Sequence, residues 1–151
     1  MSLTIQLASA HDLDTVFELM RHMQADDPWE EPFDEHTVRK NLHELLSNPH
    51  FGFVYLVREN QNPVAYLVIC FDFSLEYRGK GAWIDELFVE ASHRGRGIGS
   101  RLLDLAEHAS RKQGARTLHL EVNHGNRANE LYHRRGFLDH HRFLMTKTLS
   151  T

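Results

Sequence analysis

The chain of 151 residues has a single cysteine, Cys70, which excludes an internal disulfide and a cysteine-based zinc site. It has no basic excess: 17 Lys and Arg face 21 Asp and Glu, for a net charge of −4. The broad basic face that nucleic-acid binding requires is therefore missing. Long apolar runs are missing too. The longest, Pro63 to Phe71, falls far short of a membrane span. The opening MSLTIQLASAHDLD lacks the basic region and apolar stretch of a secretory signal. Nine glycines and four prolines are too few for a collagen-like or linker-dominated chain. These absences lead to the expectation of a cytoplasmic protein with no nucleic-acid or membrane partner. No metal is expected either. None of the twelve histidines forms HExxH, and the adjacent His140 and His141 would point to opposite faces of a strand.

What remains is the composition of one soluble globular domain, placed at residues 2–148, with 41% apolar and 25% charged residues. Charge is spread unevenly along it. Residues 1–49 hold 3 Lys and Arg against 10 Asp and Glu, whereas residues 50–151 hold 14 against 11. Two readings follow: differently charged ligands meet different parts of one domain, or residues 26–35 form a solvated acidic loop.

Periodicity orders the elements. Leu3 to Leu7 alternates as a strand. Ser9 and Asp12 form a capping box ahead of a helix carrying Leu13, Val16, Phe17, Met20 and Met23 on one face. ADDPWEEPFDE interrupts it, and a second helix is expected at 34–46, closed by Ser47-Asn48-Pro49. The period then changes to that of strands: Phe51 to Arg58 and Val64 to Leu75, turned at Asn60-Gln61-Asn62-Pro63, then Ala82 to Val89. A long helix follows HRGRGIGS, with Gly114 as its terminator. Thr117 to Val122 reads as a strand, Asn126 to Arg135 as a short helix, and 137–140 and 142–148 as two final strands. The expected class is α/β, a mixed, mostly antiparallel sheet flanked by helices, in the order β-α-α-β-β-β-α-β-α-β-β.

The glycine-rich passage carries chemistry. Gly95, Gly97 and Gly99 lie between an apolar strand and an amphipathic helix, where the backbone turns tightly and approaches a ligand. Free N–H groups at the helix start and the helix dipole make such a turn a seat for phosphate. Arg94 and Arg96 add charge, and Ser100 a hydroxyl. The loop is neither GxxxxGK[ST] nor GxGxxG, so a nucleoside triphosphate or dinucleotide site is not indicated.

The run from Arg94 to Gly99 resembles the [QR]xxGx[GA] pyrophosphate loop of the GNAT superfamily of N-acetyltransferases. Trp83-Ile84-Asp85-Glu86-Leu87-Phe88-Val89 is similar to that family's central fourth strand, and the segment from Asn126 to Phe137 to its NxxAxxLYxxxGF motif. Within the superfamily the strand and glycine loop look nearest to diamine acetyltransferases. The resemblance implies an acetyl-CoA-dependent N-acetyltransferase. The backbone of Leu87, Phe88 and Val89 would pair with the pantetheine arm. The amides of Gly95, Arg96, Gly97, Ile98, Gly99 and Ser100 would take the pyrophosphate, with Arg94 and Arg96 assisting. Asn126 would contact the cofactor near the thioester, Ala128 and Asn129 in the same motif would also contact the cofactor, and Tyr132 would face its sulfur. Arg135 or Arg134 would reach the 3′-phosphate. Small members of the superfamily are often dimers, so a homodimer is expected.

Acetyl transfer to an amine requires a neutral amine, a stabilised oxyanion and a proton for the departing thiolate. Asp85 and Glu86 lie on the strand beside the reacting group, on opposite faces unless a bulge intervenes. Glu86 is favoured as a base acting through water, with Asp85 its rival; for each, an ion pair or cap is the alternative role. Tyr132 has the chemistry of a general acid, and otherwise is a core aromatic. Cys70, in an apolar strand without basic neighbours, reads as a small hydrophobe. No nucleophile suited to an acetyl-enzyme is near the motif, so transfer is expected to be direct. Six carboxylates, Asp26, Asp27, Glu30, Glu31, Asp34 and Glu35, line the segment that borders the acceptor side in the family. With Trp29 and Phe33 they favour a cationic small-molecule amine or a basic peptide. The alternative function is a non-catalytic acyl-CoA-binding sensor or regulatory module.

Overall fold

The computed structural model describes residues 2–150. The chain divides into two compact units, Met1–Glu121 and Val122–Thr151.

The first unit is built on a five-stranded sheet in the order β1-β2-β3-β4-β5. Its strands are β1 (Leu3–Leu7), β2 (Gly52–Glu59), β3 (Asn62–Ser74), β4 (Gly79–Val89) and β5 (Thr117–Leu120). The first four pair antiparallel, and β5 joins β4 in parallel. The β2–β3 turn is Asn60-Gln61, both left-handed at φ 50° and 73°, the conformation whose twist matches a two-residue hairpin.

Two helices, α1 (Leu13–Asp26) and α2 (Glu35–Ser47), precede β2. The Ser9–Asp12 capping box forms as the sequence predicts and opens a single 3-10 turn, Ala10–Asp12, ahead of α1. Asp34 caps α2 through the Thr37 amide at 2.8 Å. The apolar stripe of α1 and Val38 and Leu42 of α2 are buried in one cluster with Val54, Leu56, Tyr66, Val68 and Phe88 of the sheet. This is the core on one face. Across β3 and β4, α3 (Ile98–Lys112) packs with Ile98, Leu102, Leu103, Ala106 and Ala109 buried. Gly114, at φ 84°, follows the end of α3 in the left-handed conformation of a helix terminator.

The second unit contains one helix, α4 (Asn129–Arg134). It is shorter than the sequence predicts. Asn126 accepts the Ala128 amide at 2.9 Å and so closes an Asx turn ahead of the helix instead of capping it. The two strands expected at 137–140 and 142–148 are not formed. A strand is stable only beside a partner, and residues 122–150 hold no strand to pair with. Phe143 and Met145 stand 95% and 89% exposed.

Candidate active site

The site begins with an irregularity in β4. Along the β3–β4 ladder Val68 faces Glu86 and Ile69 faces Ile84, so two adjacent residues on β3 span three on β4 and Asp85 is the extra one. A bulge of this kind reverses which face the following residues present. Glu86 consequently joins the face of Val68 and Tyr66, inside the core against α1, while Asp85 is turned out and exposed. The two carboxylates expected to compete for one role are thus set apart because one of them, Asp85, is the inserted residue.

Glu86 is 9% exposed. Tyr66, fully buried on β3, donates its hydroxyl to Glu86 Oε2 at 2.8 Å, and the Trp29 side chain is a second hydrogen-bond partner. Burial pushes the Glu86 carboxyl up to about 7; the neighbouring Asp85 charge adds to this, while Tyr66 and Trp29 oppose it. Asp85 keeps an exposed surface, yet the protein packed around it withdraws enough water from its carboxyl to raise it above its ordinary value. A carboxyl balanced near neutral pH accepts a proton and releases it again, which general-base work needs.

Past the bulge, β4 loses a neighbour. Its pairing with β5 covers only Gly81 to Ile84, so Asp85 to Val89 have a strand on the β3 side alone. Phe88 is buried against Tyr66, with ring centroids 5.9 Å apart, and Leu87 and Val89 are half-buried. Backbone groups on such an open edge are suited to an extended ligand that pairs like a strand. The carbonyl of Val89 already accepts from Arg94 Nε at 2.9 Å.

Beyond Val89 a 3-10 turn, Ala91–His93, leads into the glycine loop. Gly95 and Gly97 are left-handed, at φ 72° and 80°, and a Cβ on either would meet nothing within 4 Å. Gly97 is the N-cap of α3 and supplies no side chain to it. The first backbone bond of the helix runs from the Arg101 amide to Gly97 O at 3.1 Å. The amides of Ile98, Gly99 and Ser100 therefore lead the helix dipole, beside glycines whose Cβ positions face open space. Both arginines of the loop have protein partners: Arg94 pairs with Asp26, and Arg96 with Glu59, which also meets His93. Arg96 and then His93 hold the Glu59 carboxyl below its ordinary value.

The acidic segment is less of an open funnel than its composition suggests. Asp26, the last residue of α1, is committed to Arg94; Asp34 caps α2; and Glu35 pairs with Arg39. Asp27, Glu30 and Glu31 are exposed. Trp29 is half-buried, 5.3 Å from Phe33, which stacks on Phe17 at 5.7 Å, and its amide donates to Gln24 at 3.1 Å. The pair expected to touch substrate methylenes is thus packed on the α1 core, with the Trp29 indole turned to Glu86.

Bulged strand, open edge and uncapped glycine loop are the elements of the expected acetyltransferase site, and the family model for GNAT acetyltransferases matches residues 16–137. The chain belongs to the GNAT acetyltransferase family. It is accordingly an N-acetyltransferase that draws on acetyl-CoA and takes an amine as acceptor. The integron cassette protein HFX_CASS3, from the mobile metagenome of a salt marsh, has a similar structure. It is 26% identical with a TM-score of 0.84, over 97% of this chain and 91% of that one. A possible acetyltransferase from Clostridium difficile superposes over the whole of both chains at 18% identity and a TM-score of 0.84. A predicted acetyltransferase from Clostridium acetobutylicum, solved with acetyl-CoA, shares 18% identity and a TM-score of 0.82, over 97% and 96%. Among curated proteins no match is found.

The remaining predicted residues of this GNAT acetyltransferase, Asn126, Ala128, Asn129, Tyr132 and Arg135, belong to the second unit. Tyr132 sits half-buried on α4, its ring edge-on to Phe137 at 5.9 Å. Asn129 reaches toward the Asn123 carbonyl with its amide group, while its Oδ1 is buried with no hydrogen-bond partner. Arg135 closes the helix through its backbone amide. Sequence reasoning overlooked Tyr66. The signal was there: one hydroxyl in the run Val64-Ala65-Tyr66-Leu67-Val68-Ile69 has to find a partner once that strand is buried. Among the described residues no cluster able to hold a metal ion is found, and no helix is long and apolar enough to cross a membrane.

Proposed function

We propose that this enzyme acetylates a cationic amine by direct transfer, within one domain spanning residues 2–148, with Glu86 as the general base. The observation that carries the reading is the Glu86 carboxyl itself, buried, hydrogen-bonded and held near neutrality on the strand whose edge is open. The left-handed Gly97 and the leading amides of α3 suit the pyrophosphate of acetyl-CoA, with Arg94 and Arg96 as nearby cations. The edge from Leu87 to Val89 suits its pantetheine amides. Bound there, the thioester supplies the acetyl group.

An alkylammonium must lose a proton before it can attack, and near pH 7 this costs about 3–5 kcal/mol. Glu86, partly ionised at that pH, takes the proton through water. Cys70 does not compete as an acetyl acceptor, because burial pushes its thiol up to about 11 and keeps it neutral. That supports a single direct transfer. For Tyr132 as the acid, and for Asn126, Ala128, Asn129 and Arg135 as cofactor contacts, the support is the NxxAxxLYxxxGF motif. Exposed Asp27, Glu30 and Glu31 favour a cationic acceptor over a neutral or acidic one.

The test is thiol release from acetyl-CoA across a panel of diamines, amino sugars, basic peptides and neutral amines, with wild type and Glu86→Gln. Cationic acceptors should give the highest kcat/KM, and Glu86→Gln should lose the acidic limb of the pH profile while still binding acetyl-CoA. A neutral best acceptor would remove the charge reading, and an intact acidic limb in Glu86→Gln would remove the base.

A further inference from the structure

The core around Glu86 contains a polar pair that packing alone does not require. Tyr66 is completely buried, tilted against Phe88 and in contact with α1. A phenylalanine would fill the same volume without placing a hydroxyl in an apolar layer, where an unmatched polar group is costly. The hydroxyl has two acceptors within reach, Glu86 Oε2 at 2.8 Å and Met23 Sδ at 3.2 Å. It carries one proton to give. While the carboxylate is charged, the bond to Oε2 is much the stronger, since a thioether is a weak acceptor. Once Glu86 takes a proton, the hydroxyl can turn to the sulfur, so neither protonation state strands a buried donor.

Resting on the assignment of Glu86 as base, we infer that Tyr66 is its positioning residue: the hydroxyl orients the carboxylate and stabilises its charged form, with Met23 as the alternative acceptor. Tyr66 touches neither substrate nor cosubstrate in this role and acts through Glu86. The groups facing Glu86 are few. Asp85 on β4 raises its pKa, Tyr66 on β3 and the Trp29 side chain after α1 lower it, and burial outweighs both. Cys70 on β3 is close enough to feel the charge but is itself a neutral thiol. From α1 comes Met23, which carries none. Tyr66 cannot supply a charge of its own, because burial and the two carboxylates push its phenol well above the ordinary value. It remains a donor throughout.

The experiment compares wild type, Tyr66→Phe and Glu86→Gln by two readouts. One is the infrared carboxyl band of Glu86, identified as the band missing in Glu86→Gln and titrated without substrate. The other is the pH profile of kcat. Removing the hydroxyl removes an interaction that favours the charged carboxylate. The band should therefore titrate about one pH unit higher in Tyr66→Phe, and the acidic limb of kcat should move by the same amount. At pH 6 this is close to a 10-fold loss of kcat. If Tyr66→Phe does not fold, 3-fluorotyrosine at position 66, a stronger donor of nearly the same shape, should move both midpoints down. An acidic limb lost in Glu86→Gln but unmoved in Tyr66→Phe or the fluorinated protein overturns the role of Tyr66 alone. An acidic limb that persists in Glu86→Gln overturns the base, and the positioning role with it.

Discussion

The two halves of β4 have the same neighbour on one side and different surroundings on the other. From Gly81 to Ile84 the strand is clasped by β3 and β5, with Ala82 wholly buried. From Asp85 to Val89 it keeps β3 alone, and it begins with a bulge. The first half is spent on cohesion, since both edges of its backbone are taken. The second half retains an edge for a ligand and a carboxyl at a pKa that is unfavourable for stability but suited to proton transfer. A strand interior and the proposed reaction surface are thus one element, divided where β5 ends and one extra residue enters.

The sharpest way to break this comparison is Glu86→Gln. Loss of the base should lower kcat about 10²- to 10⁴-fold, with acetyl-CoA binding retained. Stability should move the other way. Folding raises the pKa of Glu86, so the folded state holds its proton more tightly than the unfolded chain; this contribution is full below the ordinary glutamate range and is lost as pH rises through about 7. The variant should therefore be more stable than wild type at pH 8, by at most on the order of 3 kcal/mol and with a higher Tm, and show no such gain at pH 4.5. Calorimetric melts at the two pH values check it. A lower melting temperature at pH 8 would mean that Glu86 is a net structural asset.

Next in size is Gly97→Asp in the glycine loop that follows the open half. It places a side chain at φ 80° and a negative charge before the leading amides of α3. Acetyl-CoA affinity should fall about 10- to 100-fold by titration calorimetry. An unchanged Kd in a folded variant would place the phosphates elsewhere. The paired half should respond in the opposite sense. Ala82→Leu, at a position with no exposed surface, overfills the layer and should cost about 1–3 kcal/mol in urea unfolding, leaving the Kd for acetyl-CoA within about twofold. Loss of affinity in the folded variant would show that the clasped half also serves the ligand. The smallest effect belongs to the acidic segment. Neutralising Asp27, Glu30 and Glu31 together, and sparing Asp26 for Arg94, should raise the acceptor KM about two- to fivefold at low salt. Ionic strength should erase most of the difference, and equal KM values at low salt would make the segment plain surface.

Much of this site was legible because its rules are local. The apolar run from Ala82 to Val89 placed most of β4, the Ser9–Asp12 box placed the start of α1, and the glycines marked a turn that only glycine makes easily. Asp85 and Glu86 were visible as a pair, with one of them favoured. The bulge that separates them was not, because it lies in the pairing of β4 with β3 and leaves no mark in β4's own pattern. The partners of Arg94 and Arg96 were hidden for the same reason: Asp26 and Glu59 come from distant parts of the chain. The two final strands expected at 137–140 and 142–148 are not formed, because a strand needs a neighbour and a short segment does not supply its own.

Element order, the glycine turn and the chemical types available on β4 all follow from short-range sterics, capping and periodicity, and each can be stated from a dozen consecutive residues. The protonation of Glu86 cannot. Its pKa depends on how much water the core removes and on which donors arrive from β3 and from the segment after α1. Solvation and long-range contact exist only once the chain has folded, so the tertiary structure alone turns one of two adjacent carboxylates into a group that titrates near neutral pH.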